Sequence, residues 1–68
     1  MHIAIMLNGE PQKVDEGATV KQLLQKLQID PERVAVELDR RILKSALWDE
    51  TILRQGAQLE IVQFVGGG

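Results

Sequence analysis

Apolar and polar residues follow a period of two at the start of the chain. Ile3, Ile5 and Leu7 alternate with Ala4 and Met6, and this alternation predicts a β-strand with two distinct faces.

A tight turn is predicted directly after this strand. Asn8-Gly9 is a strong hairpin signal, because both residue types tolerate the positive φ angles of a type I′ turn. The second strand is predicted over residues 10–14 and is more polar. Pro11 near its start has no amide hydrogen to donate, so this strand is expected at an edge of the sheet.

The hydrophobic period changes to that of a helix after residue 18. Thr19 and Gln22 have the spacing of a capping box, in which each side chain bonds an unpaired backbone amide at the helix start. One apolar stripe follows at positions i, i+3, i+4 and i+7: Val20, Leu23, Leu24 and Leu27. This stripe predicts an amphipathic helix that packs one face on the sheet.

Three more strands are predicted after the helix, over residues 34–38, 42–43 and 58–65. A turn is expected at residues 39–41, and one helical turn at residues 45–48, with Ser45 as its cap. The economical packing of these elements is an α+β fold with one helix across a mixed four- to five-stranded sheet, a β-grasp. We expect the first and last strands to be central, with the domain over residues 1–65 and a flexible glycine tail over 66–68.

The alternation within the last strand predicts which side chains face the helix. Leu59 and Ile61 are expected to point inward, so Val62 and Phe64 point outward. Met6 of the first strand has the same outward parity. If the two strands are neighbours, Met6, Val62 and Phe64 are expected to form an exposed apolar patch for a partner protein.

Composition excludes several classes of function. The 68 residues contain no cysteine, so disulfides, thiolate metal sites and a cysteine nucleophile are absent. Eight basic and ten acidic residues are interspersed, and Trp48 and Phe64 are the only aromatics, which argues against nucleic acid as a partner. The longest apolar run is too short for a membrane span and no export signal is visible, so we expect a cytoplasmic protein. His2 is expected to be solvated, and Trp48 to cover one end of the sheet.

Three consecutive glycines end the chain. Gly66, Gly67 and Gly68 have no side chains to pack, so this tail is expected to be mobile and to reach about 10 Å when extended. Such a tail can pass through a narrow channel into the active site of another protein.

The whole chain resembles the ThiS family, the ubiquitin-like sulfur carriers of thiamin (thiazole) biosynthesis. The matching features are the Asn8-Gly9 turn, Gly17-Ala18-Thr19-Val20 before Leu23-Leu24, the Trp48 position, and the segment from Glu60 to Gly68. The chain departs from the family pattern at turns: it has Asp39 for Asn, Lys44-Ser45 for Pro-Arg, and Gly56-Ala57 for Gly-Asp.

The resemblance implies a carrier that is itself not an enzyme and binds no permanent cofactor or metal. A ThiF-like adenylating enzyme would use ATP to activate the Gly68 carboxylate, with Gly66 and Gly67 threading its active site. A sulfur donor, such as a cysteine desulfurase, would then give a thiocarboxylate, and a ThiG-like thiazole synthase would take the sulfur. Three alternatives remain open: a carrier for molybdopterin or tRNA thiolation, a ubiquitin-like protein modifier, and an interaction module with an inert tail.

Overall fold

Five strands and one α-helix form the described part of the chain, in a computed structural model that describes residues 1–64. Val65 and the predicted tail Gly66, Gly67 and Gly68 lie outside the described residues. The elements are β1 (His2–Leu7), β2 (Glu10–Asp15), α1 (Val20–Lys26), β3 (Val34–Leu38), β4 (Arg41–Ile42) and β5 (Gln58–Gln63), with short 3₁₀ turns at Pro31–Arg33 and Ser45–Leu47.

The strands form one mixed sheet in the order β2-β1-β5-β3-β4. The first and last strands, β1 and β5, are parallel neighbours within the sheet, and the other pairs are antiparallel. This arrangement is the predicted β-grasp.

The first hairpin has the predicted turn and the predicted edge strand. Asn8 and Gly9 have φ angles of 51° and 82°, both in the left-handed region that a type I′ turn requires. Pro11 lies opposite Met6 in the register. In a hairpin with a two-residue turn, that pair is a non-hydrogen-bonded one, so the proline nitrogen faces away from β1. The edge position therefore tolerates the missing amide hydrogen.

The capping box at the start of α1 is present as predicted. The Gln22 backbone amide donates to the Thr19 hydroxyl at 3.1 Å, and the Thr19 amide donates to the Gln22 side chain at 2.9 Å. The apolar stripe is buried against the sheet at Val20, Leu23 and Leu24. The helix thus covers one face of the sheet, and no α-helix of residues 1–64 covers the other face.

The core between helix and sheet also includes Trp48, which is only 5% exposed. Its indole nitrogen donates to the Leu43 carbonyl at 2.9 Å, so the one polar atom of the ring is satisfied. The tryptophan is therefore part of the main core rather than a separate plug at one end of the sheet. The other buried members are Ile5, Val14, Val20, Leu23, Leu24, Val34, Val36, Leu53 and Leu59.

Strand β2 ends one residue later than predicted, at Asp15, and three other element boundaries differ from the predictions. Ser45 is the first residue of a 3₁₀ turn rather than its cap, because Lys44 takes the cap position without a side-chain hydrogen bond. Strand β4 lies one residue earlier than predicted, at Arg41–Ile42. Strand β5 ends at Gln63 instead of extending through Phe64.

Candidate functional site at the end of the last strand

Strand β5 leads toward the glycine end of the chain. Its backbone pairing with the neighbouring strand β3 on one flank is longer than its pairing with β1 on the other. On one flank the β3 register runs from Leu38 opposite Leu59 to Val34 opposite Gln63. The contact continues one residue farther, because the Phe64 amide donates to the Arg33 carbonyl at 2.7 Å. Strand β3 therefore supports β5 from Leu59 to its end.

The opposite flank of β5 has much shorter backbone pairing. The β1 register contains only Met6 opposite Gln58 and Leu7 opposite Leu59. Beyond it the Asn8 amide donates to the Leu59 carbonyl at 2.9 Å. The Asn8 side chain then reaches Ile61, accepting from its amide at 2.8 Å and donating to its carbonyl at 3.3 Å.

The predicted orientation of the β5 side chains is confirmed. Leu59 is buried, and Ile61 is half-buried and packs against the core. Val62 and Phe64 are 56% and 55% exposed on the opposite, outer face of the sheet.

Met6 shares this outer face but does not adjoin Val62 and Phe64. The register sets Met6 beside Gln58, four residues before Val62, which is a separation of about 13 Å along the strand. Met6 is also half-buried rather than exposed. The three side chains therefore do not form the single patch that parity predicted, because parity gives the face of the sheet and not the register along it.

Met6 instead lines a shallow cleft on the outer face, with a volume of about 330 Å³. The turn residues Gly9 and Arg40 border this cleft from opposite sides of β5. The remaining lining residues are Gln58, Leu59 and Glu60.

The structure adds two residues that the sequence reasoning missed. Ala35 lies directly opposite Val62, and Ile42 lies opposite Glu37 on the same outer face, where it is 76% exposed. For Ile42 the available sequence signal was a large apolar side chain in a very short predicted strand. We call Ala35, Ile42, Val62 and Phe64 the outer patch.

Two carboxylates interrupt this face. Glu37 and Glu60 lie directly opposite each other in the β3–β5 register and share the outer face. Like charges at directly opposite positions are unfavourable in a free sheet, and a cationic group of a partner would relieve the repulsion. Two carboxylates therefore border the apolar side chains of the outer patch.

The described residues offer little for other kinds of site. Residues 1–64 contain no group of three or more His, Cys, Asp or Glu side chains placed to hold a metal ion. His2 is exposed and lies 3.1 Å from Asp15, as a surface pair. In the same part of the chain, no helix combines the length and apolar character needed to cross a membrane. The predicted site residues Gly66, Gly67 and Gly68 lie outside the described range.

Comparison with known proteins places this chain in a family. A crystal structure of the thiamine biosynthesis protein ThiS from Geobacter metallireducens superimposes with a TM-score of 0.83, at 35% identity, over 97% of this chain and 100% of that one. The sulfur carrier protein ThiS of Thermus thermophilus is 33% identical over 64 residues, covering 94% of this chain and 98% of that protein.

A thiazole synthase from Magnetococcus marinus is 39% identical over 64 residues, covering 94% of this chain. This chain spans only 20%, a fifth, of the length of that relative. The profile of the ThiS family matches residues 5–68, which includes β5 and all three terminal glycines. The chain belongs to the ThiS family.

Proposed function

We propose that this chain is a sulfur carrier for thiazole synthesis, with the Gly68 carboxylate as the reactive group. The observation that carries the proposal is that the family match extends through residue 68, so the similarity includes the glycine end as well as the folded body. We assign the chemistry to partner enzymes that act on the end of this chain.

The proposed reaction makes the terminal carboxylate electrophilic. A carboxylate oxygen attacks the α-phosphorus of ATP on an adenylating enzyme, and pyrophosphate leaves. The resulting acyl-adenylate has AMP as a good leaving group, which a sulfur nucleophile displaces. With a persulfide donor, such as a cysteine desulfurase, the terminal persulfide sulfur attacks the carbonyl and AMP leaves, which gives an acyl disulfide. A thiol reductant then cleaves the S–S bond, is itself oxidised to a disulfide, and leaves a thiocarboxylate at the terminus. The absence of cysteine suits this chemistry, because no internal thiol of the 68 residues can attack the activated carbonyl.

The proposed acceptor of the sulfur is a thiazole synthase. Support comes from the Magnetococcus marinus relative, a thiazole synthase with a segment similar to 94% of this chain. A carrier-like segment within a protein of that name is consistent with the two acting together. We propose no nucleic-acid or membrane partner and no resident cofactor; ATP is a substrate of the adenylating enzyme.

The outer patch is the proposed docking surface for these enzymes. Val62 on β5 and Phe64 directly after it are exposed just before the glycine end, so we expect a partner that binds this end to cover them as well. Ile42 extends the apolar area toward the far edge of the sheet. Met6 lies apart in the cleft, and its predicted partner role stays a prediction.

The terminal chemistry is tested by mass spectrometry. Incubated with an adenylating enzyme, ATP and a sulfur source, the protein should gain the mass of sulfur replacing one oxygen, and fragmentation should place the change at Gly68. One alanine appended after Gly68 should abolish activation, because it moves the reactive carbonyl by about 3.5 Å, as far as the reacting atoms themselves are apart. Gly67→Val should also block it, by widening the chain that enters the active site. Activation of the extended protein at the wild-type rate would refute the proposal.

The docking surface is tested with Phe64→Ala. Because Phe64 is 55% exposed, the substitution should change the free energy of unfolding by under about 0.5 kcal/mol. It should weaken binding to the adenylating enzyme or the synthase at least several-fold, because aromatic side chains contribute strongly to interfaces. Leu59→Ala is the matched control on the same strand: it is buried and should lower stability instead. Unchanged partner affinity with a large loss of stability in Phe64→Ala would show that this side chain belongs to the core.

A further inference from the structure

We propose that Asn8 is a positioning residue that holds the end of β5, apart from its role in the first hairpin turn. The inference rests on the proposed function, in which a partner that binds the glycine end also binds Val62 and Phe64, the outer-patch residues that follow Ile61. The structure shows the contact that holds this end of β5, between the Asn8 carboxamide and the Ile61 backbone.

The carboxamide of Asn8 substitutes for a missing peptide group. In a regular parallel pair the residue after Leu7 would use its main-chain carbonyl to accept the Ile61 amide. At Asn8 the chain turns, with φ of 51°, and its backbone leaves the strand direction. The side-chain Oδ1 takes over as acceptor at 2.8 Å, and Nδ2 donates to the Ile61 carbonyl at 3.3 Å. Both polar groups of Ile61 are therefore satisfied beyond the end of β1.

This contact is placed where the β1 flank of β5 has no other support in the described chain. Backbone pairing with β1 ends at Leu59, whereas pairing with β3 continues to Gln63 and Phe64. Without Asn8, the last residues of β5 would be held from one side only, as in an edge strand. Segments with fewer backbone contacts open more readily. Ile61 lies just before Val62 and Phe64, so its opening also disturbs the outer patch.

Asn8→Gly separates the two roles of this residue. Glycine is favoured at both positions of a type I′ turn, so the hairpin should form as before while the bonds to Ile61 are lost. Native-state amide exchange measured by NMR should become at least tenfold faster at Ile61, with little change in the amides of α1. Asn8→Asp retains an oxygen for the Ile61 amide but loses the donor to its carbonyl, and should give an intermediate rate.

Asp39→Gly is the matched control, because Asp39 makes the equivalent contact at the start of β5. Its Oδ1 accepts from the Gln58 amide at 3.0 Å. This variant should accelerate exchange at Gln58 and leave Ile61 protected. Equal acceleration at all amides in Asn8→Gly, or an unchanged rate at Ile61, would overturn the proposal.

Steady-state activation by the adenylating enzyme supplies the functional readout. When the strand end is loosened, a smaller fraction of the molecules has the binding-competent arrangement. The apparent dissociation constant is the intrinsic one divided by that fraction, so it rises. For Asn8→Gly we expect KM for the carrier to rise about fivefold, with kcat within about twofold of wild type. Asn8→Asp should recover part of the loss, and Asp39→Gly should leave KM near the wild-type value. An unchanged KM in Asn8→Gly would overturn the positioning role.

Failure of the proposed function would look different from failure of this inference. If the wild-type protein is not activated at all, the carrier proposal fails, and the exchange rate at Ile61 alone decides whether Asn8 holds the strand. If the wild type is activated and Asn8→Gly matches it in KM and in exchange, the carrier proposal stands and this inference fails.

Discussion

Two hairpin turns border β5 from opposite sides, and both bind it through the side chain of their first residue. Asn8 of the β1–β2 turn contacts Ile61, and Asp39 of the β3–β4 turn contacts Gln58. Both turn residues have a φ of 51°, and both replace a main-chain carbonyl by a side-chain oxygen. In both turns a side-chain oxygen thus accepts from a backbone amide of β5, one at the start of the strand and one toward its end.

The different side chains follow from the direction of the paired strands. Asp39 belongs to an antiparallel pair, in which one residue exchanges both bonds with its partner, and its own amide already donates to the Gln58 carbonyl at 2.8 Å. Only the Gln58 amide then still needs a hydrogen-bond partner, and a side-chain acceptor is enough to satisfy it. Asn8 belongs to a parallel pair, where its amide donates to Leu59 instead. Ile61 therefore has an amide and a carbonyl to satisfy, which requires the donor and acceptor of a carboxamide.

The second positions of the two turns differ in backbone strain. Gly9 has a φ of 82° without a steric penalty, whereas Arg40 holds a φ of 70° with a full side chain. The comparison predicts that the β3–β4 turn is the less relaxed of the two.

The largest expected effect comes from removing the Asp39 side chain. Asp39→Ala loses the bond to Gln58 and also places alanine at a positive φ, and together these should lower the free energy of unfolding by about 2 kcal/mol. For a domain of this size the melting temperature should fall by roughly 8–16 °C. Asp39→Asn keeps an acceptor for the Gln58 amide and a residue type that tolerates a positive φ. It is the control, and its free energy of unfolding should change by under about 0.5 kcal/mol. Equal losses in the two variants would mean that charge, rather than the bond to Gln58, matters at this position.

A smaller loss is expected at Gly9. Gly9→Ala should lower the free energy of unfolding by about 1 kcal/mol, because a side chain is disfavoured at a φ of 82°. Apart from its two chain neighbours, no atom of residues 1–64 lies within 4 Å of the added Cβ, so the expected cost is that of the backbone. Chemical denaturation measures it. A loss several times larger would point to a contact that the structure does not contain.

The smallest expected effect is a gain at the opposite turn. Arg40→Gly should raise the free energy of unfolding by about 0.5 kcal/mol, because relief of the left-handed strain slightly exceeds the entropy cost of glycine. Arg41→Gly, at the adjacent strand residue without a positive φ, is the control and should be destabilising. If Arg40→Gly also destabilises, the strain relieved does not exceed the entropy cost of glycine, and the prediction that the β3–β4 turn is the less relaxed one is wrong.

Most of the fold follows from local sequence signals. The alternation in β1, the capping box of Thr19 and Gln22, and the Asn8-Gly9 turn each act over a few residues, so a single sequence contains the information for them. The edge position of the Pro11 strand follows equally from its missing amide hydrogen.

The candidate site was less predictable, because it depends on register between distant segments. Met6 and Gln58 pair across 52 positions of sequence, and no local pattern specifies that alignment. The separation of Met6 from Val62 and the contact between Asn8 and Ile61 both depend on it. The left-handed conformation at Arg40 was also missed, since nothing in the residue type indicates it.

The central position of β5 has a consequence for synthesis of the protein on the ribosome. The chain emerges from its N-terminus, so the β1–β2 hairpin, α1 and β3 are made before the strand that lies between β1 and β3. A product truncated before Gln58 lacks the middle of the sheet and leaves two strand edges open, which favours aggregation and degradation. The sheet can therefore be completed only after β5 has been translated. We therefore expect chains that end before Gln58 to be unstable.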